Sequence, residues 1–146
     1  MNKEEFDYKE IKTFEDACKR LNINVNDFNE NYENYENLDI GIYSNESYGG
    51  TNINVLAHKK LIIIFAAIND GWFAKYGGDN YGRYCPYHIW NDELLKNEFK
   101  FSGNGIALSY FDIRLFTNSK EKSDYIGLTF IDIYNEMFKN ANFESD

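Results

Sequence analysis

The chain predicts an α+β fold in one domain, a small antiparallel sheet packed against three helices. Three observations carry that expectation. An unbroken apolar run over residues 61–68 ends in Asn69-Asp70-Gly71-Trp72. A Gly-Asn-Gly turn at 103–105 separates two β-patterned segments. Ile126, Phe130, Ile133, Tyr134, Met137 and Phe138 make an apolar stripe at helical spacing. A chain of 146 residues suits a single domain, long enough to bury a core without disulfides or a structural metal.

Taken in order, residues 1–12 read as a charged lead-in. Thr13 is a natural N-cap for a first helix at about 14–22, with Glu15 and Asp16 in the turn where the helix dipole favours negative charge. Residues 24–50 read as an Asn/Glu/Tyr-rich surface loop. The run Glu30-Asn31-Tyr32-Glu33-Asn34-Tyr35-Glu36-Asn37 repeats every three residues, a period that matches neither helix nor strand. A second helix spans about 53–69. Its length and the Ala66-Ala67 pair outweigh the β-branched isoleucines, His58-Lys59-Lys60 mark its wetter part, and Gly71 sits at the left-handed stop.

An aromatic, glycine-rich loop then runs to Trp90, with a strand possible over 83–90, and Asn91-Asp92-Glu93 makes a turn. A β-hairpin is expected at about 97–116, its long second arm running from 106 to 116. Ser123 caps a last helix at about 124–139, with Asp124 in the first turn and Lys139 in the last.

The net charge of −9 is uneven. Residues 1–46 hold 12 acidic against 5 basic side chains, a balance of −7, which leaves −2 for the rest. No basic cluster offers the phosphate contacts that supply most duplex affinity, so duplex DNA is disfavoured as a partner. The N-terminal residues contain no apolar signal-like run, and the 61–68 stretch is far below the ~20 residues a spanning helix needs. A soluble protein made in a cytoplasm is the expectation.

Cys85-Pro86-Tyr87-His88 has a C-x2-H spacing, and Cys18 and His58 would complete a Cys2His2 set. Structural zinc normally presents two close pairs, however, and the other two residues stand alone on different predicted helices, so no metal or cofactor is expected. A Cys85–His58 or Cys85–His88 nucleophile pair lacks any recognisable surrounding motif. The Ser102-Gly103-Asn104-Gly105 glycines precede a strand rather than a helix, which suits a turn better than a phosphate loop.

The aromatic loop is the remaining candidate. It holds Trp72, Phe73, Tyr76, Tyr81, Tyr84, Tyr87, His88 and Trp90 among glycines, with Lys75 and Arg83 nearby. Such rings can form a protein interface, stack on bases or sugars, or simply pack over the 61–68 helix. The candidate binding residues are the exposed members of Trp72, Tyr76, Tyr81, Arg83 and Tyr87.

Several segments together resemble a family of small proteins encoded by phages and prophages of Bacteroides-like bacteria. They are Lys12-Thr13-Phe14-Glu15-Asp16-Ala17-Cys18, the Ile68-Asn69-Asp70-Gly71-Trp72 signature and, loosely, Tyr84-Cys85-Pro86-Tyr87. Gly103-Asn104-Gly105 and Thr117-Asn118-Ser119 extend the likeness across most of residues 12–138. Two departures stand out: Lys120-Glu121-Lys122 replaces an arginine the pattern would carry, and the Glu30 to Asn37 repeat looks like an insertion. The resemblance implies an origin and an architecture, with no activity attached. With the composition, it implies a phage or mobile-element accessory protein in the cytoplasm of the bacterial host or associated with virions. The aromatic Gly-rich loop adds the expectation of a non-enzymatic macromolecular binding module with a protein partner. The alternatives are a virion structural component, an acidic inhibitor of a host defence or nuclease complex, and a single-stranded nucleic-acid binder.

Overall fold

A computed structural model describes residues 5–32, 55–74, 83–103 and 113–143. The fold is α+β, with a small antiparallel sheet seated against helices. At its centre is α3 (Val55–Asn69), which buries Leu61, Ile62, Ile63, Ile64, Phe65, Ala67 and Ile68. A helix apolar all round must be enclosed, and α3 is packed by α1 (Phe14–Arg20), by α5 (Ile131–Phe143) and by a 3-10 turn at Ile113–Leu115. The long helix expected at 53–69 is therefore present over its described length.

The expectation that His58 and Lys59 lie on a wet part is overturned, since both are buried. The Lys59 ammonium donates to Tyr32 O at 2.9 Å and lies over the Tyr32 ring. It thus satisfies a carbonyl at the end of α2 (Val25–Asn31) where the dipole favours a cation.

The first helix ends at Arg20, two residues earlier than expected. Its start is a capping box: Thr13 Oγ1 accepts from the Asp16 N–H at 3.0 Å, and the Asp16 carboxylate accepts from the Thr13 N–H at 3.1 Å. Its end is a Schellman turn with Asn22 in the left-handed region (φ 58°), Ile23 N–H bonding Cys18 O and Asn22 N–H bonding Lys19 O. The lead-in is built rather than loose. Tyr8–Glu10 form a 3-10 turn, Ile11 is buried, and the Tyr125 hydroxyl donates to Ile11 O at 2.8 Å.

Three further expectations are corrected. The surface loop assigned to 24–50 begins with the helix α2, capped by Asn24 and anchored by Phe28, whose ring packs on Phe14; residues 33–50 lie outside the described residues. The last helix, expected at 124–139, is two helices. Ser119, not Ser123, accepts from the Lys122 N–H and starts α4 (Lys120–Thr129), and Phe130 (φ −108°, ψ 27°) breaks the run before α5. The break lets α4 face the sheet while α5 covers α3.

The hairpin expected at 97–116 is instead formed by β1 (Cys85–Asn91) and β2 (Lys96–Gly103), so its turn lies at residues 92–95. Residues 104–112, and with them most of the expected second arm, lie outside the described residues. The end of that arm is not a strand. Ile113–Leu115 form the 3-10 turn, and Arg114, Leu115, Phe116 and Thr117 are buried in succession, which a half-wet strand cannot do.

Candidate binding surface

The aromatic loop meets the body at both ends, where its chemistry is directed inward. After α3, Asp70 (φ 49°) and Gly71 (φ 94°) turn the chain, and the Trp72 N–H bonds Asn69 O at 3.1 Å. Trp72 is half-buried against a small core of Ala74, Cys85 and Phe116. Asn69 Nδ2 donates to Phe116 O at 2.8 Å. Tyr84 and Thr117 exchange two backbone bonds of 2.8 Å each, tying the entry of β1 to the segment before α4.

Arg83, expected at an exposed site, is only 7% exposed, with its guanidinium over the Phe116 ring at 5.1 Å. A cation on an aromatic face inside the body is a packing element, and Arg83 leaves the set of binding candidates. Tyr76 and Tyr81 lie outside the described residues. Of the three described candidates, Tyr87 alone is exposed, at 36%, and it lies on a different part of the body from Trp72 and Arg83, which pack towards Phe116.

Tyr87 belongs to a different surface, the outer face of the hairpin. Side chains alternate across β1, so Pro86 and His88 face α4 while Tyr87 and Ile89 face away, Ile89 being 47% exposed. A register shift between Tyr87 and His88 leaves β2 one residue longer, a bulge that bends the strand locally. The turn is organised by Asn91, whose Oδ1 accepts from the Glu93 and Leu94 N–H groups at 2.9 and 3.0 Å. Leu94 and Leu95 then project at 55% and 62% exposure. Leu95 is held at φ +51°, in the left-handed region that costs a non-glycine residue about 1–2 kcal/mol.

The inner face seats the hairpin. His88 Nε2 donates to Gly127 O at 3.1 Å; the acceptor is a carbonyl, so the neutral ring carries its proton on Nε2. The ring lies 4.2 Å from that of Tyr134, tilted, and 5.8 Å edge-on from Phe99. Burial lowers the His88 pKa, and the bond to Gly127 offsets this only in part. Ser102 Oγ donates to Asp124 Oδ1 at 2.6 Å. Burial raises the Asp124 carboxyl, but the Ser102 and Lys120 hydrogen bonds and the Lys120 charge outweigh it and leave its pKa low.

Burial pushes the Cys85 thiol up to about 12 against a small opposing pull from Arg83, and pushes Cys18 up to about 11. Neither offers a thiolate near neutrality. Cys18, His58 and Cys85 are buried on α1, α3 and β1, and no three His, Cys, Asp or Glu among the described residues are placed to hold a metal ion.

Ile89, Leu94 and Leu95 went unnoticed in the sequence. Their signal was the Asn91-Asp92-Glu93 turn running straight into two leucines, which reads equally well as the first turn of a helix. No helix among the described residues is long and apolar enough to cross a membrane. Compared with family models, curated proteins and solved structures, the chain matches none.

Proposed function

We propose that the chain is a non-catalytic protein-binding module, an accessory protein of a phage or mobile element, and that it binds through the outer face and tip of the β1–β2 hairpin. The observation that carries the reading is Leu95, more than half exposed at positive φ beside an equally exposed Leu94. Gly or Asn is the usual occupant of such a position. An apolar side chain kept there at a conformational cost is the kind of outlier that points toward function. Tyr87 and Ile89 are also exposed on the outer face of the same hairpin, and tyrosine is among the residues enriched at binding hot spots. The mobile-element assignment is supported by the Ile68-Asn69-Asp70-Gly71-Trp72 resemblance and by the Asn, Tyr, Ile, Lys and Phe bias that AT-rich coding would give.

The test is affinity capture from lysate of a phage-infected or lysogenic host, with wild type, Leu94→Ser/Leu95→Ser and Tyr87→Ala as baits. Both variants are expected to fold, because the altered side chains are exposed, and to lose the partner that wild type retains. Equal recovery of every wild-type partner by both variants would remove the hairpin as the binding surface.

A further inference from the structure

We propose that His88 makes the seating of the β1–β2 hairpin on α4 and α5 proton-sensitive: the neutral ring holds the hairpin down, and a second proton loosens it while the helical body stays folded. The inference does not depend on what the hairpin binds.

The geometry places His88 inside a joint rather than on a surface. One edge of the ring donates to Gly127 O, one face meets Tyr134, and Phe99 closes the side. With Nε2 committed to the carbonyl, an added proton must go to Nδ1, for which no bond is described among the described residues. A charge created there needs a counter-charge or water.

The described neighbours supply little of either. On α5, Tyr134 is buried with no partner for its hydroxyl among the described residues, and burial holds its pKa well above the usual tyrosine value, so it stays neutral. On β1, the buried Cys85 thiol is likewise neutral. On α4, Asp124 is one turn before Gly127, and its carboxylate is engaged by Ser102 and Lys120. On β2, Glu98 pairs with Lys100, accepts from Asn91, and sits opposite the outward-facing Ile89.

Two features do favour the cation. Gly127 O lies in the last turn of α4, the negative end of the helix, and the Tyr134 face is rich in π density. Burial outweighs both, and the docked ring titrates below the ordinary histidine value of about 6.5.

The sign follows from linkage. The seated ring binds its proton less readily than the released one, so seating is complete above about pH 6.5 and weakens as pH falls towards the docked pKa, then levels off. One proton changes the opening equilibrium by at most about tenfold per pH unit. The opening is local because the main core around α3 contains no hairpin residue. Since the hairpin carries Leu94 and Leu95, the same proton would govern how that tip is presented.

The chain has two histidines, so a titration from about pH 8 to 5 followed by NMR yields two imidazole signals, assigned with His88→Gln. Backbone hydrogen exchange, corrected for its intrinsic pH dependence, is read in β1–β2 and in α3. The expected result is a His88 midpoint below 6.5, with β1–β2 protection falling by up to about tenfold per pH unit in wild type while α3 is unchanged. In His88→Gln, whose amide can still donate to Gly127 O, the dependence should vanish. A His88 midpoint at or above about 6.5, the same pH-dependent loss in His88→Gln, or parallel loss in α3 would each overturn the proposal. If His88→Gln fails to seat the hairpin even at high pH, the wild-type midpoint and exchange profile still decide.

Discussion

Replacing Gly127 with alanine tests the joint between α4 and the hairpin by sign alone. A Cβ built on Gly127 would lie 2.6 and 2.7 Å from Phe99 Cδ2 and Cε2 and 2.8 Å from Pro86 Cβ. Carbon pairs are comfortable at about 3.5–4.0 Å, so all three contacts are about an ångström too close. Pro86 cannot rotate away, and Phe99 is also packed edge-on against His88. Overpacking of this kind costs about 1–3 kcal/mol. Against it stands the gain from replacing glycine in a helix by alanine, about 1 kcal/mol. With three contacts under 3.0 Å the cost falls in the upper part of that range, about 2–3 kcal/mol. The balance is then a net loss of about 1–2 kcal/mol, read in urea as a midpoint lowered by roughly 0.5–1 M. In a Phe99→Ala background the penalty should shrink, a coupling of about 1 kcal/mol. An unchanged or raised midpoint for Gly127→Ala would refute the close approach, because helix propensity would then be the whole effect.

Three further outcomes can be checked on the purified protein. Thr13→Ala removes one half of the α1 capping box and should cost about 1 kcal/mol in denaturant unfolding. Its partner Asp16 is held below the usual carboxylate range, chiefly by the Lys12 backbone N–H; burial opposes this, and the Thr13 hydrogen bonds and the Lys12 charge add to the lowering. Its contribution is therefore present above about pH 4 and lost in acid, so wild type and Asp16→Asn should differ at neutral pH and converge as the carboxyl protonates. Cys18 and Cys85, raised to about 11 and about 12 by burial, should resist alkylation at about pH 8 until guanidinium unfolds the chain. Rapid labelling of either thiol in the folded protein would contradict its placement.

What could be read directly from the chain follows from how local each signal is. The buried helix α3 announces itself because residues 61–68 are apolar on every side and Asn69-Asp70-Gly71 supplies the stop. The start of α1 is equally local, a side chain bonding the backbone three residues on. The hairpin was misplaced because Gly103-Asn104-Gly105 is a stronger turn signal than Asn91-Asp92-Glu93-Leu94, whose turn depends on one asparagine side chain and a leucine in an unusual conformation. Ser123 directly precedes the apolar stripe and reads as its cap, and only the break at Phe130 shows why a separate helix starts earlier, at Ser119.

Arg83 and Lys59 illustrate the opposite limit. Charged side chains are usually exposed, and only partners distant in sequence, the Phe116 ring and the Tyr32 carbonyl, make these two internal. The candidate surface was half legible: Tyr87 was named, while Ile89, Leu94 and Leu95 became visible only once the true turn was placed.

The enclosure of α3 also has a consequence during synthesis. Its walls come from both directions along the chain: α1 precedes it, but α5 and the Ile113–Leu115 turn follow it. At roughly 5–20 residues per second, about 4–15 s separate the translation of Asn69 from that of Phe143. Throughout that interval a helix with no polar face over 61–68 is only half covered. The nascent chain is therefore a natural client for holding chaperones, and a chain truncated before α5 would present the same apolar surface permanently.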